Sequence, residues 1–195
     1  MRIVVATNNQ GKLKEFRSIF VNHEVLGLKD LNYQKEIIED GNTFEENALK
    51  KAKQVSKDLN TIAIADDSGL EVEALNNEPG IYSARYSKEQ TDEANNKLLI
   101  KNLKNKENRN AQYVCAICIY YPNDEYLIVK DTCKGKIIDE PHGTNGFGYD
   151  PYFYSYDCNK TFAEITLEEK NKYSHRAKAL RKLGEMINED LSIKR

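Results

Sequence analysis

The chain opens on an apolar run with no polar break inside it. Arg2 to Thr7 encloses Ile3, Val4, Val5 and Ala6, and Ile62 to Ala65 repeats the pattern further on. A strand with one wet face alternates polar and apolar side chains, so a short unbroken run reads as a strand buried on both faces. Helical patterns lie between and around these runs. Leu13, Phe16 and Phe20 recur at helical spacing after the first, giving a strand–loop–helix opening. Thr43 and Glu46 stand in the relation of a capping box, and Phe44, Ala48, Ala52, Val55 and Leu59 then mark one face of a second helix.

The rest of the chain continues the mixture. Leu70, Val72 and Ala74 alternate with Glu71 and Glu73, which predicts a half-exposed strand, and Asn76 to Gly80 supplies a turn. Glu89 to Leu103 predicts a third helix with Ala94, Leu98, Leu99 and Leu103 inward. Asn105 to Asn110 is polar and exposed. Two long strands, about Ala111 to Tyr121 and Glu125 to Ile138, follow each other through Pro122, Asn123 and Asp124, the succession of an antiparallel pair. A last helix from about Ser174 turns Ala177, Leu180, Leu183, Ile187 and Leu191 inward. Strands and helices intermix, so the predicted class is α/β with a mixed sheet, and 195 residues suit one domain, 1–195, of one or two lobes.

Charge narrows the function classes. Twenty-nine Lys/Arg against 31 Asp/Glu leave a net charge of −2, so no global field draws this chain to nucleic acid or to a membrane. Ile3 to Ala6 is too short for a signal-peptide core, and no apolar stretch approaches the ~18 residues of a spanning helix. A soluble cytoplasmic protein with a local ligand site is expected. Cys115 and Cys118 have metal-site spacing, but on a strand residues three apart point to opposite faces, and Cys133, Cys158, His23, His142 and His175 are scattered. Buried, reduced cysteines are the expectation.

Three segments carry chemistry. Thr7-Asn8-Asn9-Gln10-Gly11-Lys12 joins a buried strand to a helix start, where backbone N–H groups favour an anion and Lys12 adds charge. It is no Walker A loop: Ala6 stands where glycine is needed, and Leu13 where Ser or Thr is. Ala65-Asp66-Asp67-Ser68-Gly69 reads as a loop at the end of a buried strand, where adjacent carboxylates need partners or a metal. A second acidic group, Glu36, Glu39, Asp40, Glu45 and Glu46, offers one carboxylate that could join Asp67 on Mg²⁺, which takes one or two carboxylates plus substrate phosphates. Gly143 to Pro151 places three glycines around Phe147, Tyr149 and Asp150, so backbone can approach a flat ligand while a ring stacks on it. From Lys170 onward eight Lys/Arg face three Asp/Glu, and Lys170, His175 and Arg176 fall before or at a helix start, where the helix dipole gives a cation nothing. Carboxylates for Mg²⁺, lysines for phosphates and an aromatic glycine loop for a base together suggest a nucleoside triphosphate.

On these segments the chain closely resembles the inosine triphosphate pyrophosphatase family. The matching stretches are TNNQGK at 7–12, EDGNTFEENALKKA at 39–52, ADDSGLEVEAL at 65–75, PGIYSARYS at 79–87, TNGFGYDPYF at 144–153 and TFAEITLEEKNKYSHRAKAL at 161–180. They occur in the family's order over essentially the whole chain. The resemblance implies an elongated mixed sheet, two lobes with the active-site cleft between them, and a homodimer. It implies that Glu39 is the magnesium carboxylate and Asp67 the proton acceptor and second metal contact. Thr7, Asn8, Asn9, Gln10, Gly11, Lys12 and Ser68 match phosphate-binding positions, and Lys51 a lysine near the triphosphate. Phe147, Gly148, Tyr149, Asp150, Lys170, His175 and Arg176 match the nucleotide and base pocket. Lys12, Lys51 and Lys170 are expected to share phosphate charge, Arg176 and His175 to offer donors to a 6-oxo purine, and Asp66 to stand behind the contact residues. Asn42, His142 and Tyr173 depart from the family pattern without touching these positions. The implied reaction turns ITP, dITP or XTP into the monophosphate and pyrophosphate. The alternatives are a Maf-like pyrophosphatase of pyrimidine or modified nucleotides, and a non-catalytic nucleotide-binding module.

Overall fold

The computed structural model describes residues 2–193, with side chains described through Met186. Seven strands form one mixed sheet in the order β2-β1-β3-β4-β5-β6-β7. The opening run is β1 (Arg2–Val5), whose three apolar side chains are all buried. Asn9 ends the loop after it by accepting the Lys12 amide on its side chain at 3.0 Å, and this cap starts α1 (Gln10–Ile19). Leu13 and Phe16 of α1 turn inward as their spacing requires, and so does Glu15. β2 (Glu24–Gly27) then lies parallel to β1, pairing Arg2 with Glu24 through Val5 with Gly27.

The Thr43 cap is realised at α2 (Phe44–Leu59): Thr43 Oγ accepts the Glu46 amide at 3.1 Å, while the Glu46 side chain reaches one residue past the cap and takes the Asn42 amide at 2.7 Å. Its buried stripe holds Phe44, Ala48, Ala52 and Val55, but also Asn47 and Lys51. β3 (Ala63–Val72) is one continuous strand parallel to β1. Here the sequence expectation is corrected: Asp66-Asp67-Ser68-Gly69 is not a loop beyond the strand but its middle. Partners distant in sequence hold both carboxylates, which removes the cost that made a buried strand position look forbidden. The same strand stops at Val72, so Ala74 lies in a single 3-10 turn (Glu73–Leu75).

Helix α3 (Asp92–Leu103) begins at its Thr91 cap, three residues later than expected, and buries Asn95 and Asn96 together with Leu99 and Leu103. β4 (Asn110–Tyr120) and β5 (Tyr126–Ile137) are neighbours in the sheet, joined by the predicted turn. β6 (Phe153–Ser155) and β7 (Lys160–Thr161) continue it antiparallel. The last stretch holds two helices, α4 (Leu167–Tyr173) and α5 (His175–Ile193), with Ser174 between them in extended conformation. Ala177, Leu180 and Leu183 are buried as expected, while the side chains of Ile187 and Leu191 lie outside the described residues. Among the described residues no helix is long and apolar enough to cross a membrane.

The chain divides into two compact units. The first comprises 1–67, 115–131 and 176–195, and the second 68–114 and 132–175. The first has its own core of Ile3, Val5, Leu13, Phe16, Ile64, Ile117 and Leu180 with their neighbours. The second packs Leu70, Leu99, Leu103, Tyr113, Phe153, Phe162 and others. Cys115, Cys118 and Cys133 are buried, Cys158 is partly so, and none of the four is in a disulfide. Burial alone pushes the Cys118 thiol up to about 12, the range of an inert core cysteine.

Candidate active site

Successive strand residues face opposite ways, so Asp66 and Asp67 enter different surroundings. Asp66 is fully enclosed. Its Oδ2 lies 3.0 Å from Lys12 Nζ and accepts Arg176 Nη2 at 3.0 Å and Nε at 3.2 Å. The remaining face of that guanidinium donates from Nη1 to Glu15, which α1 carries inward one turn beyond Lys12. Two carboxylates and two cations therefore interlock. Burial by itself would raise the Asp66 pKa, but the charges of Lys12, Arg176 and Lys51 outweigh it and hold the carboxyl well below its ordinary range. Burial likewise opposes the Arg176 charge, and Glu15 and Asp66 overcome it.

Asp67 is set the other way. Lys51 Nζ stands 3.2 Å from its Oδ1, and Asn47 Nδ2 donates to its Oδ2 at 3.2 Å. The Gly41 amide donates to Asn47 Oδ1 at 2.8 Å, which turns the amide so that its NH₂ faces Asp67. Burial raises the Asp67 pKa, Lys51 and Lys12 pull it down, Glu39 adds to the rise, and the net direction is up. Lys51 remains a cation: burial would lower its pKa, but Asp67, Glu39 and Asp66 together raise it. Glu39 Oε2 lies 3.4 Å from Lys51 Nζ, and its side chain is 37% exposed against 8% for Asp67. The acidic group around it is sorted by these contacts. Asp40 pairs with Lys50, Glu45 with Lys130, and Glu46 takes the Asn42 amide, while Glu39 is the member of the group that reaches Lys51, Asp67's partner. Adjacent carboxyls pushed in opposite directions are the usual signature of separate duties, one fixed as charge and one able to exchange a proton. Thr7, Asn8, Asn9, Gln10 and Gly11 form the partly to fully exposed loop and first turn ahead of Lys12.

The second unit gathers the other set. Lys170 Nζ donates to Asp150 Oδ2 at 2.7 Å and sits 4.9 Å from the Phe147 ring centre and 5.3 Å from that of Phe162. The Phe147 amide donates to the same carboxylate at 3.0 Å. Gly146, at φ 76°, allows this turn, and a Cβ there would run into the Asp150 carboxylate. Gly148 is tied on both sides, its amide donating to Asp92 at 2.7 Å and its carbonyl accepting Asn96 at 2.8 Å. His175 stacks on Tyr113 with ring centres 4.6 Å apart and planes within 9°. Ser68 is half-buried in β3 and also falls in this unit.

Two sequence expectations change here, and a third gains partners the sequence did not show. Arg176, expected at the base, has its guanidinium engaged by Asp66 and Glu15 in the first unit, because a buried cation goes to buried carboxylates. Tyr149 does not present its ring to a ligand; it is core, with its hydroxyl donating to the Ser83 carbonyl at 2.7 Å, and Phe147 is the half-buried ring of the loop. Lys170 does not precede a helix but occupies the last turn of α4, where the dipole favours a cation, so its placement alone signals no ligand. Glu15, Asn47 and Tyr113 were not anticipated. Asn47 and Lys51 stand on the buried stripe of α2, and polar residues on such a stripe are the signal that could have found them.

These features define a mixed-sheet α/β protein with a carboxylate–lysine cluster in one unit and a cation-bearing aromatic cluster in the other. The family model described as the Ham1 family matches residues 3–186. A dITP/XTP pyrophosphatase of Staphylococcus epidermidis is 50% identical over 186 residues, covering 95% of both chains. One from Bacillus licheniformis is 47% identical over 192 residues, covering 96% of this chain and 98% of the other. Among solved structures, the Staphylococcus aureus Ham1 protein superposes with a TM-score of 0.86 at 46% identity, over 97% of this chain and all of that one. A HAM1 protein from Coxiella burnetii gives 0.86 at 37% identity, over 97% and 99%. The chain belongs to the Ham1 family.

Proposed function

We propose that this chain hydrolyses non-canonical purine nucleoside triphosphates, dITP, ITP and XTP, to the monophosphate and pyrophosphate, and so clears deaminated purines from the nucleotide pool. The observation that carries the reading is the divided acidic pair: Asp66 locked as an anion, and Asp67 raised toward a working base beside Lys51 and Glu39. A mere nucleotide-binding module has no use for that division, and relatives half identical over nearly the whole chain carry the pyrophosphatase name.

Asp67 orients a water toward the α-phosphorus and takes its proton as the new P–O bond forms; the α–β anhydride bond breaks and pyrophosphate leaves. Lys12 and Lys51, with Thr7 to Gly11 and Ser68, meet the phosphate charge, since phosphoryl chemistry is mostly positioning and electrostatics. Among the described residues no cluster of three or more His, Cys, Asp or Glu stands ready as a metal cage. Two hard carboxylates, one of them partly open to solvent, fit Mg²⁺ that completes its shell from water and substrate oxygens. Glu39 and Asp67 would hold it, and the ion would there supply positive charge to offset that of the leaving pyrophosphate. Phe147, Asp150, Lys170 and His175 receive the base. A donor directed at a 6-oxo group is left unpaired by the 6-amino group of adenine, and sites of that kind discriminate by about 10⁴–10⁵. Arg176 acts from below, by fixing Asp66 and through it Lys12. The reading includes a homodimer in the cytoplasm, and four cysteines outside any disulfide suit a reducing compartment.

Hydrolysis of dITP in ¹⁸O-water tests the point of attack. Label is expected in the monophosphate with the pyrophosphate unlabelled; label in released phosphate or pyrophosphate would overturn the mechanism. Glu39→Gln is expected to raise the Mg²⁺ concentration for half-maximal rate by about tenfold or more, a loss that even indirect metal contacts can produce. An unchanged metal titration would remove Glu39 from the metal.

A further inference from the structure

Tyr113 belongs to no segment that the sequence singled out, yet it touches two residues assigned to the base. Its ring lies flat on His175, with ring centres 4.6 Å apart and an interplanar angle of 9°. Its hydroxyl donates to Asp150 Oδ1 at 3.2 Å. The other oxygen of that carboxylate takes Lys170 Nζ at 2.7 Å and the Phe147 amide at 3.0 Å. Tyr113 is itself packed by Phe153, 4.5 Å between centres, and by the parallel ring of Phe162 at 5.9 Å. It sits on β4, a long strand in the middle of the sheet, and is 7% exposed, while Asp150, Lys170 and His175 are each 4% exposed or less.

The arrangement has a physical consequence. A carboxylate with two donors on one oxygen and none on the other can swing about its Cβ–Cγ bond. A buried hydroxyl on the second oxygen fixes that plane, and with it the direction of the Lys170 ammonium and the Phe147 backbone. The near-parallel stack of Tyr113 on His175 restricts the imidazole plane. A strand residue is a stiff mount for both, because its backbone is held in the ladder.

We infer that Tyr113 is a positioning residue that sets base recognition, by holding the His175 ring and the Asp150–Lys170 pair in one fixed relation. This rests on the reading of the chain as a pyrophosphohydrolase of 6-oxo purine triphosphates. Tyr113 is expected to touch no part of the substrate, and its influence is on the base alone and not on the phosphates.

Tyr113→Phe keeps the ring and the burial and removes only the hydroxyl. With dITP and XTP its KM is expected to rise about tenfold with kcat within about twofold, the scale of one hydrogen bond to a charged group. Inhibition by inorganic tripolyphosphate, which carries the phosphates without a base, is expected to be unchanged. Tyr113→Leu, which also loses the stack, should raise KM further and leave the tripolyphosphate constant where it was. An unchanged KM in Tyr113→Phe overturns the inference. So does a tripolyphosphate constant that rises in step with KM, because that is the mark of general loosening. If the unaltered protein releases nothing from dITP, the functional reading itself fails, and that result is separate from either outcome in the variants.

Discussion

Asp67→Asn is expected to lower turnover of dITP by about 10²–10⁴-fold while the protein still folds. The substitution keeps the shape and an oxygen for Asn47 or Lys51 to donate to, so the contacts at 3.2 Å have a substitute. What it removes is the ability to take a proton. The pH profile of the unaltered enzyme should carry the same signature. A base works only when deprotonated, and burial raises the Asp67 pKa above the ordinary carboxylate value of about 3.9. The rate constant kcat/KM should therefore climb with pH along an acidic limb and level off above it, the Mg²⁺ that Asp67 would share drawing the limb back toward lower pH. An Asp67→Asn protein that turns over at an undiminished rate would take the base role from Asp67.

The second large effect is on stability. Arg176→Met is expected to cost about 3–5 kcal/mol, read as a fall in the denaturant midpoint with an unchanged slope. The guanidinium is 1% exposed and is shared between Glu15 and Asp66. Removing it leaves two enclosed carboxylates with Lys12 as the cation still paired to Asp66 in the cluster. The same cluster predicts a direction with pH. The Asp66 carboxyl is held below its unfolded value, so its contribution is complete above about pH 4 and is lost as pH falls through the depressed folded value. A variant within 1 kcal/mol of the parent would mean that water or a shifted side chain replaces the arginine, and the interlocked charges would then lose their structural role.

These two residues also mark where sequence reading succeeds and where it stops. The cap at Thr43, the apolar face of α2 and the strands β4 and β5 were legible because their signals are local: one cap, one period, one turn. β2, with four residues and only half its side chains apolar in character, offers no period to detect, and it is fixed instead by its parallel register on β1. The two Asp residues of β3 looked like a loop because the groups that stabilise them come from afar. Arg176 is 110 positions from Asp66 and Asn47 is 20 from Asp67. Separate duties for the two carboxyls therefore could not be read from adjacent letters, although the importance of the segment could. The resemblance assigned Glu39, Asp67, Lys12 and Lys51 to phosphate and metal, and the structure brings Lys51 against Glu39 and Asp67 and Lys12 against Asp66. It assigned Arg176 to the base, and the structure sets its guanidinium on Asp66 and Glu15. Tyr113 escaped for the opposite reason, since an aromatic residue on a long strand reads as core, and here it is core that also holds polar groups.

The central claim is that the chain selects deaminated purines and cuts between the α- and β-phosphates. Pyrophosphate release from ITP, dITP, XTP, ATP and GTP, each with and without Mg²⁺, tests it most directly. Fast Mg²⁺-dependent release from the first three, with ATP and GTP nearly untouched, is the predicted result. Equal rates on all five, or no pyrophosphate from any of them, would contradict it.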